Sequence, residues 1–145
     1  MRIIAGSCRG AKLTKLDAVN TRPTADRVRE SLFNILDSGK FGRVLLGAVV
    51  IDTFAGSGAL GLEALSRGAT SACFIEQSAD ALLVLRANIK KLDMHCHSRI
   101  IACDADSLSH WPYEPATILF ADAPYYTGGG QKTAITLQSS GVLAA

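Results

Sequence analysis

The stretch Asp52-Thr53-Phe54-Ala55-Gly56-Ser57-Gly58-Ala59-Leu60-Gly61 constrains this chain more than any other feature. It sets G-x-G-x-x-G directly after residues 49–54, which read as a buried strand, and at the opening of residues 59–66, which read as a helix. Glycine suits that place because the turn is tight and a ligand must approach the backbone with no Cβ in the way. Glu76 closes the next apolar run, residues 71–76, 20 positions beyond Gly56. A carboxylate there can accept both ribose hydroxyls of an adenine nucleoside. Strand, turn, helix and distal acid together point to a nucleoside-cofactor site built from Asp52, Phe54, Ala55, Gly56, Ser57, Gly58 and Glu76.

The alternation continues along the chain. Residues 79–92 carry Leu82, Leu83, Leu85, Ile89 and Leu92 at helical spacing, and residues 99–103 and 117–121 are two more strand candidates. Strands that alternate with helices need right-handed crossovers, so the expected class is α/β, a doubly wound and mainly parallel sheet covered on both faces. Ahead of it, residues 2–5 and 11–16 are short β-type runs able to form a hairpin. Arg22-Pro23-Thr24 then reads as a helix entrance, with Val28, Leu32, Ile35 and Leu36 on the expected buried face, Arg29 and Asn34 opposite, and Gly39 past the last turn. This divides the chain into an N-terminal extension, 1–43, and a core, 44–145.

Charge follows the same division. Residues 1–43 hold nine Lys and Arg against four acids, and the remainder holds six against nine. A basic segment ahead of a mildly acidic body suits an anionic partner, with nucleic acid the natural candidate; solvated or salt-bridged helix residues are the plainer reading of each arginine. At 48% apolar and 19% charged residues, disordered and collagen-like chains are excluded. The longest apolar run, residues 44–51, is too short to cross a bilayer. The first six residues lack the pattern of a secretory signal, so a cytoplasmic location is expected. Cys8, Cys73, Cys96 and Cys103 show no C-x-x-C spacing and read as small buried apolar residues; the run His95-Cys96-His97 matches no structural zinc spacing, and no metal is expected.

Asp52 discriminates between cofactors. A carboxylate beside the turn repels a pyrophosphate but attracts the ammonium of an amino-acid moiety, so S-adenosyl-L-methionine fits better than a nicotinamide dinucleotide. A hydrogen-bonding residue that ties the turn is the plainer reading of Asp52. Asp104, with Ala105, follows the third strand and is a candidate for the adenine amino group, with an ordinary strand-end acid as the alternative. Asp122-Ala123-Pro124-Tyr125 follows the fourth strand and so falls at the same carboxyl edge of the sheet.

Taken with residues 52–61, this last motif resembles the amino-methyltransferase version of the Rossmann-like fold, whose fourth motif is usually Asp or Asn followed by Pro-Pro-Tyr. Residues 1–6, Arg22-Pro23-Thr24, Asp26-Arg27-Val28-Arg29-Glu30, Leu32-Phe33-Asn34-Ile35-Leu36 and residues 52–68 together resemble the bacterial family that methylates a guanine N2 in small-subunit (16S) ribosomal RNA. The resemblance implies S-adenosyl-L-methionine as donor and ribosomal RNA, or the assembling small subunit, as acceptor. Asp122, Ala123, Pro124 and Tyr125 would then be catalytic, and Arg9, Lys12, Arg22, Arg27 and Arg29 would hold RNA phosphates.

Two departures bear on these expectations. Ala123 stands where that motif usually has proline. After Tyr126 the chain offers Gly128, Gly129 and Gly130 and a helical stretch at 132–137, but not the further strands of the family, so C-terminal strands are expected to be missing. With sheet order 3-2-1-4, residues 117–121 would form an apolar edge that invites a homodimer. A remnant that binds RNA or cofactor with little turnover and an NAD-binding oxidoreductase are the alternatives.

Overall fold

In the computed structural model, residues 1–16, 24–108, 110–123 and 129–144 are described. Four strands, β1 (Val49–Thr53), β2 (Ser71–Glu76), β3 (Ser98–Ala102) and β4 (Ile118–Ala121), form one sheet in the order β3-β2-β1-β4. All three pairings are parallel. The helices are α1 (Thr24–Asp37), α2 (Ala59–Ser66), α3 (Ala79–Lys91) and α4 (Gly129–Ser139). The expected doubly wound α/β class is therefore the observed one. The central strands read as continuous apolar runs because both of their faces are covered, one by a cluster around Val50, Leu62, Phe74 and Leu85, the other by Ile51, Ile75, Leu137 and Val142.

Three expectations are corrected. The buried face of α1 carries Arg29 and Phe33, whereas Val28 is 62% and Ile35 52% exposed. The helical period was right and its phase was wrong: Phe33 packs on the Phe120 ring at 5.6 Å, and an aromatic with a partner outweighs a stripe of smaller aliphatics. The N-terminal hairpin is a single antiparallel bridge, Arg2 to Lys12, flanked by backbone hydrogen bonds rather than two full strands. Its first arm is held by α2 instead, since the buried Glu63 accepts from the Ile4 and Ala5 amides at 2.8 and 3.0 Å. Among the cysteines, Cys73 is buried as expected, but Cys96 is exposed.

The outer edge of β4 is not wholly bare. After α4 the chain turns back, and Leu143 bridges Ala116 in parallel, with the Ala116 amide donating to the Val142 carbonyl and the Ala144 amide to the Ala116 carbonyl. The lead-in to β4 is thus paired, which reduces the apolar edge expected from the sequence. Nor does packing break at residue 43, because Ile3, Leu13 and Phe33 share one buried cluster with Val50 and Phe74. No helix among the described residues is long and apolar enough to cross a membrane.

Candidate functional site

Because the strands are parallel, the segments after β1, β2, β3 and β4 all leave from one edge of the sheet. The register sets Thr53 beside Ala121 and Ile75, and Glu76 beside Ala102. Asp122 therefore follows directly on the strand next to the one that feeds the glycine turn. The two corners share an edge, as the topological switch between β1 and β4 requires.

The turn is held by carboxylates from both central strands. Asp52 accepts from the Gly61 amide at 2.9 Å, and Glu76 accepts from the Gly56 amide at 2.8 Å. Glu76 also accepts from the Gln77 and Ser78 amides through its other oxygen. Asp52 thus does what its plainer reading requires, and burial pushes its carboxyl up to about 8, with the Gly61 hydrogen bond opposing and the Asp122 and Glu76 charges reinforcing the rise. Such an acid is largely protonated at neutral pH, and a cation placed beside it would favour its ionised form.

Gly56 and Gly61 have different tasks. Gly56 sits at φ +55°, and a Cβ there would meet nothing closer than 3.9 Å, so the space beside it is open to a ligand. Gly61 is a packing residue: its Cβ would lie 2.4 Å from Phe74 Cε1. We expect Gly61→Ala to lower stability by about 1–3 kcal/mol, measured by chemical denaturation, because the ring it meets is fully buried. Phe54, with φ +57°, is a bulky residue in the left-handed region, and such strain concentrates at ligand-binding turns.

Not every expected residue presents a side chain here. Ala55, Gly58 and Ala105 are buried, Ser57 and Phe54 half-buried. Asp104 is exposed, and its carboxylate caps the following turn by accepting from the Asp106 amide at 3.0 Å. Asp122 is exposed and Ala123 half-buried, while Pro124 and Tyr125 lie outside the described residues. Of the basic residues, Arg9, Lys12 and Arg27 are exposed, and Arg22 lies outside the described residues. Arg29 is corrected: only 5% exposed, it donates to the Arg2 carbonyl at 2.5 Å and pairs with Asp26, so it ties α1 to the hairpin and is not free to meet a phosphate.

Asn88 was missed. Fully buried on α3, it donates to the Ser57 carbonyl at 2.9 Å and to the Thr14 carbonyl at 3.0 Å, and accepts from the Thr14 amide at 2.8 Å. The amide thereby joins the N-terminal arm to the glycine turn. The available signal was a polar residue between Leu85 and Ile89 on the apolar face of an amphipathic helix.

Residues 1–145 match the family described as Conserved hypothetical protein 95. Over 144 residues the chain is 41% identical to Ribosomal RNA small subunit methyltransferase D of Escherichia coli strain K12, an alignment that covers 99% of this chain and 70% of that protein. The chain belongs to the ribosomal RNA small subunit methyltransferase D family. The relative of that name from Buchnera aphidicola (subsp. Acyrthosiphon pisum) is 34% identical over 137 residues, 94% of this chain and 69% of that one. Among solved structures, the Escherichia coli protein yhhF superposes with a TM-score of 0.84 at 41% identity, covering 99% of this chain and 75% of that chain. That Escherichia coli protein thus shares this fold, and the Rossmann-like assignment stands.

Proposed function

We propose that the chain transfers a methyl group from S-adenosyl-L-methionine to the exocyclic N2 of a guanine in small-subunit (16S) ribosomal RNA. The observation that carries the reading is the common edge: a glycine turn with open space at Gly56, two carboxylates behind it, and Asp122-Ala123 leaving the adjacent strand. Family membership supports it, since the relatives' names give ribosomal RNA of the small subunit as their substrate.

The donor set fits the cofactor. Glu76 has used three of roughly four acceptor positions on backbone amides and retains capacity toward a ribose hydroxyl. Asp52 would meet the ammonium side, and Asp104 the adenine side. When bound, the cofactor supplies an electrophilic methyl on sulfonium. The chain's own contribution is at the acceptor. The guanine amine is a poor nucleophile because its lone pair is conjugated with the ring. With one N–H donated to the Asp122 carboxylate and the other to the Ala123 carbonyl, the amine is favoured in the pyramidal form whose lone pair can attack. Alignment of this kind contributes up to roughly 7–11 kcal/mol in favourable intramolecular reactions. Tyr125 would stack on the base, and Arg9, Lys12 and Arg27, with Arg22, would hold flanking phosphates.

Two measurements test the reading. Calorimetry should detect S-adenosylhomocysteine and not a nicotinamide dinucleotide, and labelled methyl should pass to small-subunit RNA with guanine-N2 as the product. Cofactor binding without transfer above background would replace the enzyme by a binding protein, and a dinucleotide-only response would replace it by an oxidoreductase. Ala123→Pro restores the restraint that proline imposes on Asp122, and single-turnover transfer should rise by a few-fold in that variant.

A further inference from the structure

The opposite edge of the sheet carries a second basic surface that the cofactor corner does not use. Ser98 is the first residue of β3, so it lies at the amino end of the strands. Two hollows meet at it. One, of about 460 Å³, is lined by Arg86, Lys90 and His95 over an apolar wall of Ile89 and Ile100. The other, of about 270 Å³, includes Arg99 and Tyr113. The Ser98 hydroxyl between them is buried with no hydrogen-bond partner among the described residues.

We propose that this edge is a second RNA-binding surface, which grips a single-stranded segment of the same ribosomal RNA with Arg86 and Lys90 on phosphates and the Arg99–Tyr113 stack against a base. The inference rests on RNA being the acceptor and deepens that reading. Its warrant is the combination of cations with a rigid aromatic platform, the pairing by which proteins hold single-stranded RNA. Arg99 lies 4.1 Å over the Tyr113 ring, and Trp111 meets that ring edge-on at 5.2 Å, so the stack is fixed in place while Tyr113 remains 40% exposed. Arg86 and Lys90 stand one helical turn apart on α3, both exposed, over the apolar wall. The acids nearby are Asp93, which pairs with His95 at 3.2 Å, and Glu114 on the second hollow; neither faces Arg86 or Lys90 in an ion pair among the described residues.

Purified small-subunit ribosomal RNA is the probe, with affinity measured by filter binding from 50 to 200 mM salt. Arg86→Ala with Lys90→Ala should weaken binding about fivefold or more and flatten the log–log salt slope by roughly 1.4, the value for two phosphate contacts to single-stranded nucleic acid. Arg99→Ala should weaken binding with a smaller change of slope. S-adenosylhomocysteine affinity and melting temperature should stay at wild-type values in all of them, since the replaced groups are exposed and none is hydrogen-bonded to the glycine turn among the described residues. Wild-type affinity and slope in the double variant, with methyl transfer intact, would overturn the second surface and leave the proposed activity standing. Failure of the wild-type protein to bind or methylate either the purified RNA or isolated small subunits would overturn both.

Discussion

Asp122→Ala is expected to reduce methyl transfer to small-subunit RNA by at least about a hundredfold in single-turnover assays while S-adenosylhomocysteine still binds. The side chain is exposed at the end of β4, so no packing is lost, and the melting temperature should hold. What disappears is the acceptor that draws one N–H of the amine out of conjugation, and misplacing a reacting group by about 1 Å already costs roughly a hundredfold. Asp122→Asn is the instructive companion. Its amide oxygen still accepts a hydrogen bond, but without charge, and a partial loss is expected. An alanine variant with wild-type transfer would remove Asp122 from the reaction.

The second large effect belongs to Asp52. Its folded-state value, about 8, lies above the ordinary 3.8, chiefly because the carboxyl is buried. The stability it contributes is therefore fully present below about pH 4 and is lost as pH rises through about 8, on the order of a few kcal/mol across that window. Asp52→Asn removes the titration, and its amide oxygen can still accept from the Gly61 amide. The variant should melt several degrees above the wild type at pH 8 and lose that advantage toward pH 4, a comparison that differential scanning calorimetry makes directly. Cofactor affinity should move the other way. In the wild type, S-adenosyl-L-methionine should bind more tightly with rising pH, up to about tenfold per unit below pH 8, with release of a proton; in Asp52→Asn the dependence should flatten. A pH-independent wild type would show that this acid only ties the turn.

The sheet was legible because its signals are local. Residues 59–66 and 71–76 were bounded correctly by a glycine turn before one and an acid closing the other, and the strand order 3-2-1-4 is the observed one. What sequence could not supply was contact between distant segments. Val28, Leu32 and Ile35 match a helical stripe as well as Phe33 and Leu36 do, and only the place of Phe120 decides between them. Arg29 reads as a surface charge in the sequence, whereas its guanidinium donates to the Arg2 carbonyl 27 positions away. Asn88 bonds to residues 31 and 74 positions distant, a relation that no local pattern encodes. In the candidate site, the ends of β1, β2 and β4 were readable as motifs, whereas the neutralising burial of Asp52 required the packed interior.

The Asn88 clasp ties the first fourteen residues to the glycine turn, so they are no mere appendage. If that arm peels away, a fully enclosed amide loses two of its three hydrogen bonds, and the side chain that anchors the Ser57 carbonyl is held less firmly, so the cradle slackens with it. Trimming the amino terminus should therefore be felt first as weaker nucleoside binding, before any nucleic acid is added.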